Sequence, residues 1–342
     1  MKKIIILCLI VCLSLSLFAC EKASDDRVVG TINGENIYCW EFNFFLSNVK
    51  SELLSGASVS SEDEEKDFWK SGEIDGIPAK KIALDKAFEQ TVLFKQKLML
   101  ARTSGITLDA DMKKAVNSAI LEIQNSFGGE DALKKELHAN GLTLDNYKAL
   151  MENSYLVDAY ASKLAEDGTI KATPEEIENY YNENAKALRQ EVTAKHILFS
   201  IVDQNQQPKP ENEQQQAKDL AEKVYKEIID GTTDFDTAMN QYSEDPGLET
   251  NPDGYTFSRG QMVEVFETTA FNAEIGEIKE PVLSDFGWHI IYVTDAQVPT
   301  LEEVSLEIEQ YILSTTFQSF VESKADTFSI EKDEKTLSSV EF

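Results

Sequence analysis

The apolar periodicity of this chain changes at Val192, and that change limits what the chain can fold into. From Pro78 to Asp167 the apolar residues, among them Ile82, Leu84, Phe88, Val92, Leu93, Leu98 and Leu100, recur at helical spacing between Lys, Glu and Gln. At Val192 the pattern becomes mixed. VTAKHILFSIV is β-prone, NQQPKPENEQQQ reads as a polar loop, and AKDLAEKVYKEIIDG reads as an amphipathic helix closed by Gly231. A last strand, WHIIYVTD, runs from Trp288 to Asp295. After Pro299 the helical period returns with a stripe at Leu301, Val304, Ile308, Ile312 and Phe317 that needs a partner surface. The order predicts an α+β protein in which a mixed segment is inserted between helical flanks. The expected parts are a leader over 1–19, a tether over 20–27, a helical domain over 28–190, the inserted domain over 191–296, and a C-terminal helix and tail over 297–342 that pack on the first domain. A chain of 342 residues is long enough for two such cores.

Local signals sharpen this outline. Asn33-Gly34 between two β-prone runs predicts a type I′ hairpin, with a helix following from Trp40. SEDEEKDFWKSGEIDG reads as a solvated acidic loop with at most one helical turn. Further helices are expected near Asp109, Glu130 and Thr143, punctuated by Gly105, Gly128-Gly129 and Gly141. Thr173-Pro-Glu-Glu176 joins an N-cap, a first-turn proline and a capping-box glutamate, so a short helix begins there and reaches about Ala187.

The first twenty residues have the form of a secretory signal: Lys2 and Lys3, the apolar run IIILCLIVCLSLSLF, then Ala19 and Cys20. An uncleaved anchor helix is the alternative, but the run is short for a bilayer core and lacks a second basic flank. LFAC, Leu17 to Cys20, resembles the bacterial lipobox, which implies a diacylglycerol on Cys20 and a place outside the cytoplasm. With Cys8 and Cys12 in the leader and Cys20 lipidated, Cys39 is left alone, so neither a disulfide framework nor a cysteine metal site is expected. Cys39, between Tyr38 and Trp40, reads as a buried and inert thiol. A formal charge of −29 argues against nucleic acid as a partner and favours a soluble surface that keeps clients dispersed.

The chain has three histidines, and two of them, His196 and His289, stand in the first and last strands of the mixed segment. A histidine in such a strand is more often a satisfied core residue than a catalytic one, and His138 reads as a surface residue. The surroundings change the weighing. TAKHILF at 193–199, TDFDTAMNQYSED at 233–245, FSRGQMVEVFETTAF at 257–271 and GEIKEPVLSDFGWHIIYV at 276–293 together resemble the parvulin family of peptidyl-prolyl isomerases. The layout of leader, helical segment, this domain and C-terminal helix resembles the PrsA-type foldases of Gram-positive bacteria and, more loosely, the SurA-type chaperones.

The resemblance implies a four-stranded antiparallel sheet surrounded by helices. It makes His196 and His289 the paired histidines of the site floor, with Asp245 beside the isomerising bond and Ser284 as a hydroxyl near the histidines. Met262 and Phe266 would hold the proline ring, with Phe257 and Leu283 completing the substrate-binding set. The spacing of four between Met262 and Phe266 would put both on one face of a predicted helix. Ordinary core packing is the bland alternative for both. NPDGYTF, Asn251 to Phe257, departs from the family, because Gly254 replaces a leucine that walls the proline pocket, and Phe286 stands where relatives have a smaller or polar residue.

A hydrolase reading lacks a nucleophile, since Ser284 has no glycine-flanked elbow and Cys39 lies outside the segment. Clustered metal-ligand spacing and a phosphate loop are both missing from the sequence, so no cofactor is expected. The expected function is a lipid-anchored extracytoplasmic foldase that isomerises X-Pro bonds in unfolded or partly folded exported polypeptides. A membrane contact through Cys20 and a homodimer are its further expected partners. Two other readings stay open: a holdase whose parvulin fold only binds peptides, and a structural or solute-binding lipoprotein.

Overall fold

The structure, a computed structural model, describes residues 24–57, 59 and 61–342. The leader, the lipobox and Cys20 lie outside the described residues. The chain divides into two units, one comprising residues up to 172 together with 310–342, the other Thr173–Glu309.

The first unit opens with β1 (Val28–Ile32) and β2 (Glu35–Tyr38), paired antiparallel. Asn33 and Gly34 between them both have positive φ, 49° and 81°, as a type I′ turn demands. α1 (Cys39–Gly56) follows and buries Phe42, Phe45, Leu46 and Val49. The acidic stretch expected as a loop is instead a ten-residue helix, α2 (Glu62–Ser71). Ser61 and Glu64 form a reciprocal capping box, the acids Glu62 to Glu65 sit at the positive end of the helix dipole, and Trp69 is buried with its Nε1 donating to Glu65 one turn back. A minimal hairpin, β3 (Glu73–Ile74) and β4 (Ile77–Pro78), leads into α3 (Ala79–Thr103). Then come α4 (Ala110–Ser126), α5 (Glu130–Ala139) and α6 (Leu144–Glu166), with Asp109 and Thr143 capping α4 and α6.

The second unit begins at Thr173, ahead of the change of period at Val192. Its first helix, α7 (Pro174–Glu183), has the predicted cap but ends before Ala187. The segment after it is tied to the mixed fold by Arg189, whose Nη1 donates to the carbonyls of Phe271 and Ala273 at 2.9 and 2.6 Å. β5 (Glu191–Ser200), α8 (Glu211–Ile229), α9 (Phe235–Tyr242), β6 (Tyr255–Ser258), α10 (Glu264–Asn272), β7 (Val282–Leu283) and β8 (Gly287–Gln297) complete the unit. α8 starts at Glu211, inside the stretch read as a polar loop, because Pro210 supplies the extended N-cap from which a helix can begin. The strands form one antiparallel sheet in the order β6-β5-β8-β7.

Alternation along the two central strands sorts their side chains. Val192 and Ala194 of β5, with Ile291 and Val293 of β8, pack against Phe257, Phe266 and Phe271 on one face. Ile197, Phe199 and Ile290 pack on the other face against Ala221, Val224, Phe235 and Met239 of α8 and α9. α11 (Leu301–Glu322) carries the predicted stripe, and its Phe317 and Val321 join Leu98, Tyr160 and Leu164 in a core of the first unit. β9 (Ile330–Lys332) then pairs antiparallel with β1, and α12 (Glu334–Ser338) buries Leu337. Among the described residues no helix is long and apolar enough to cross a membrane.

Candidate active site

His196 is two residues beyond Ala194 on β5, and His289 is two before Ile291 on β8. Period-two alternation therefore turns both imidazoles toward the Phe257–Phe266 face. Their ring centroids lie 5.4 Å apart. Phe266, from α10, stands edge-on to both, 5.2 Å from His196 and 5.5 Å from His289. Behind it, Phe257 of β6 is 2 % exposed and packs on Phe266 and Phe271.

Asp245 reaches this face from the segment after α9. That segment runs beside β5 where β6 has ended: Glu244 N–H donates to the Leu198 carbonyl, and Leu198 N–H donates to Ser243 Oγ. Ser200 N–H donates to the Glu244 carboxylate at 2.7 Å. So held, Asp245 accepts from Gly247 N–H through Oδ1 and from the Tyr255 phenol through Oδ2, at 3.2 and 2.7 Å. His196 Nε2 is 3.7 Å from the same Oδ2. On the other side, Ser284 Oγ lies 2.7 Å from His289 Nε2 and accepts from Phe286 N–H. The turn that presents Ser284 needs Gly287, whose φ is 151° and whose added Cβ would stand 2.2 Å from the Phe199 carbonyl oxygen.

Burial governs the electrostatics. It pushes the His196 imidazole below its ordinary range, with the Asp245 carboxylate acting in the opposite sense. Burial, followed by the nearby His196, pushes His289 down to about 3. Burial and the bond to Asp245 push the Tyr255 phenol up to about 12. Both imidazoles are therefore neutral at pH 7. The Nδ1 atoms of both are buried with no hydrogen-bond partner among the described residues.

The structure brings His196, His289, Asp245, Ser284, Phe257 and Phe266 together and revises two of the sequence expectations. Met262 is half-buried against the Phe257–Phe266 cluster, but it does not share a helix with Phe266. Val263 takes an extended N-cap conformation and α10 starts only at Glu264. Leu283 is 48 % exposed and does not join this cluster. The β7–β8 register pairs Val282, not Leu283, with His289, so Val282 faces the aromatic cluster and Leu283 points the other way.

Sequence reasoning missed Tyr255 as well as Val282. The departure at NPDGYTF explains why Tyr255 reaches Asp245. Gly254 has φ 95°, and a Cβ there would lie 2.5 Å from the Ala194 carbonyl oxygen, so the leucine of the family pattern does not fit this backbone. Tyr255 follows it directly. Its hydroxyl occupies the space a Cβ on Gly247 would take, only 1.9 Å away.

Residues 196–295 match the Rotamase family, described as a PPIC-type PPIASE domain. A foldase protein PrsA from Caldanaerobacter subterraneus is 25 % identical over 329 residues, spanning 95 % of this chain and 93 % of its own. A foldase protein PrsA from Halalkalibacterium halodurans is 34 % identical over 184 residues, 54 % of this chain and 48 % of its own. The crystal structure of the peptidylprolyl isomerase PrsA from Bacillus cereus aligns over 89 % of this chain and 93 % of its own, with 22 % identity and a TM-score of 0.35.

Proposed function

We infer that this chain, whose residues 196–295 are a parvulin-type peptidyl-prolyl isomerase domain and whose relatives are PrsA foldases, accelerates cis/trans exchange at X-Pro bonds of polypeptides as they fold. The observation that carries the reading is the two neutral imidazoles flanked by Asp245–Tyr255 on one side and Ser284 on the other, under an aromatic wall of Phe266 and Phe257.

The chemistry asked of such a site is modest. Amide resonance sets a barrier of about 18–20 kcal/mol to rotation, and at X-Pro the two isomers are close in energy but exchange over tens of seconds or longer. No bond is broken. In the twisted amide the nitrogen lone pair and the carbonyl are no longer conjugated, so a site that binds this form more tightly than either planar form accelerates exchange. Each tenfold of rate needs roughly 1.4 kcal/mol of such preference. In this reading the ring of proline packs on Phe266 and Met262, a dry surface where the planar amide gains little. Ser284 and the imidazoles form the polar floor, and Asp245, oriented by Tyr255, stands beside the carbonyl of the turning bond.

The same geometry disfavours hydrolysis. Ser284 is 8 % exposed and its oxygen accepts from Phe286 N–H, while Asp245 sits beside His196 rather than beside the histidine that Ser284 touches. The three side chains therefore do not line up as nucleophile, base and orienting acid.

The leader and Leu17–Cys20 support a lipid anchor on Cys20 at the outer face of the cell membrane, with exported proline-containing polypeptides as clients. The helical first unit would hold those clients. The test is exchange in a short X-Pro peptide with the full chain, followed by NMR. Acceleration over buffer that is lost in Asp245→Ala and Phe266→Ala is expected. A rate equal to buffer would leave a peptide-binding holdase, and unchanged rates in both variants would move the site elsewhere. Processing of the precursor by the lipoprotein peptidase is expected to stop in Cys20→Ala, and normal anchoring of that variant would refute the lipid.

A further inference from the structure

A concavity of about 550 Å³ adjoins the site through Ser284. One wall is the loop after β5, with Ile201 and Val202, and the opposite wall is the start of α10, with Val263 and Glu264. β7 and its turn close it with Leu283 and Asp285. Two of these apolar side chains are unusually open to solvent, Val263 at 37 % and Leu283 at 48 %. Among the described residues no Lys or Arg lines the groove. Glu264 and Asp285 are exposed, and neither carboxylate has an ion-pair or hydrogen-bond partner among the described residues. The basic residue nearest in sequence to the loop wall, Lys209, is already held by the Ser200 carbonyl and the Glu244 carboxylate.

We propose that this groove is a subsite for a lysine or arginine side chain flanking the isomerised proline. The proposal rests on the isomerase reading and deepens it by naming the class of client sequence. Ser284 lines the groove and also lies 2.7 Å from His289 Nε2, so a peptide whose proline lies on Phe266 brings a neighbouring residue within reach of the groove. Apolar walls with acids at the rim suit the two-part chemistry of Lys and Arg, whose alkyl stems lie on apolar surface while the charged head stays in water. A glutamate side chain there would meet two carboxylates and no cation. The whole chain, at −29, adds a long-range attraction for the same clients.

The experiment measures binding and exchange together, with the full chain and peptides identical except for Lys, Gln or Glu placed before or after a single proline. At low salt the Lys peptide of the favoured side is expected to bind about tenfold more tightly than its Glu counterpart, with the gap shrinking as salt is raised. In Glu264→Gln combined with Asp285→Asn the gap is expected to close to about twofold, while a charge-matched control on α11, Glu302→Gln with Glu307→Gln, keeps it. Equal binding of Lys and Glu peptides overturns the subsite. So does a gap that survives the double variant or that the control removes equally. Exchange no faster than buffer on every peptide, with the Lys preference in binding intact, would sink the isomerase reading and leave the subsite standing.

Discussion

The phenol of Tyr255 donates to Asp245 Oδ2 at 2.7 Å, and the same oxygen stands 3.7 Å from His196 Nε2. Tyr255 thus fixes the carboxylate that faces the first imidazole, without itself touching either histidine through a hydrogen bond. Removing the hydroxyl in Tyr255→Phe is expected to slow X-Pro exchange about tenfold, the value of roughly one charge-assisted hydrogen bond, with circular dichroism unchanged. Gly247→Ala tests the same link from the other side, because its Cβ would displace the Tyr255 hydroxyl. The two variants are expected to be non-additive in rate. Additive losses would mean that Gly247 and Tyr255 act through separate contacts.

A second expectation concerns pH. Burial holds His289 at about 3, far under the ordinary imidazole value of 6.5, and holds His196 below that value as well. The folded form therefore binds fewer protons than the unfolded form between these values, and stability contributed by the neutral imidazoles is present above pH 6.5 and lost as pH falls toward 3. The second unit is expected to lose melting temperature below pH 6.5, while exchange activity stays flat from pH 7 to 8. With three histidines in the chain, the imidazole C–H resonances can be followed one by one in NMR. A His289 resonance that titrates near 6.5 would show that the imidazole is not desolvated.

Gly254 gives a third. Its φ of 95° and the 2.5 Å approach of an added Cβ to the Ala194 carbonyl make it the point where the loop after Asp245 comes alongside β5 to start β6. Gly254→Ala is expected to destabilise the second unit by about 1–3 kcal/mol, through strain and displacement of the strand that follows. Because Tyr255 is the next residue, exchange is expected to fall with stability. Thermal unfolding together with the exchange rate checks this, and a variant as stable as the parent would show that the backbone can relax there without cost.

These residues also show what was legible in the sequence. His196 and His289 could be paired because strands fix side-chain direction every second residue and because four motifs occur in order around them. The apolar neighbours of Cys39 mark it as a buried thiol, and burial pushes that thiol up to about 12. Tyr255 is not legible, since its role depends on two glycines, Gly247 and Gly254, whose meaning is a close approach of backbone or side chain that only the folded chain shows. That Val282 rather than Leu283 faces the aromatic cluster is not legible, because a two-residue strand gives no pattern from which register can be inferred. The charge density of α2 hides it in the sequence, although its Ser61–Glu64 cap and the acids of its first turn favour a helix.

The last expectation lies in the first unit. Lys95 Nζ bonds to Glu41 Oε1 at 2.8 Å, with the side chains only 11 % and 6 % exposed. Glu41 Oε2 accepts from Tyr38 N–H at 3.0 Å, so one carboxylate joins the β2–α1 junction to α3. Breaking a buried pair from one side strands the other charge, and Lys95→Met is expected to cost about 3–5 kcal/mol. Replacing both, Lys95→Met with Glu41→Gln, keeps an oxygen for Tyr38 N–H and removes the buried charge, so it is expected to recover more than half of that loss. Urea unfolding followed by Trp40 and Trp69 in a Trp288→Phe background reads the first unit by itself. If the double variant is no more stable than Lys95→Met, the stranded charge is not what the lysine guards against, and its packed alkyl stem carries the stabilisation instead.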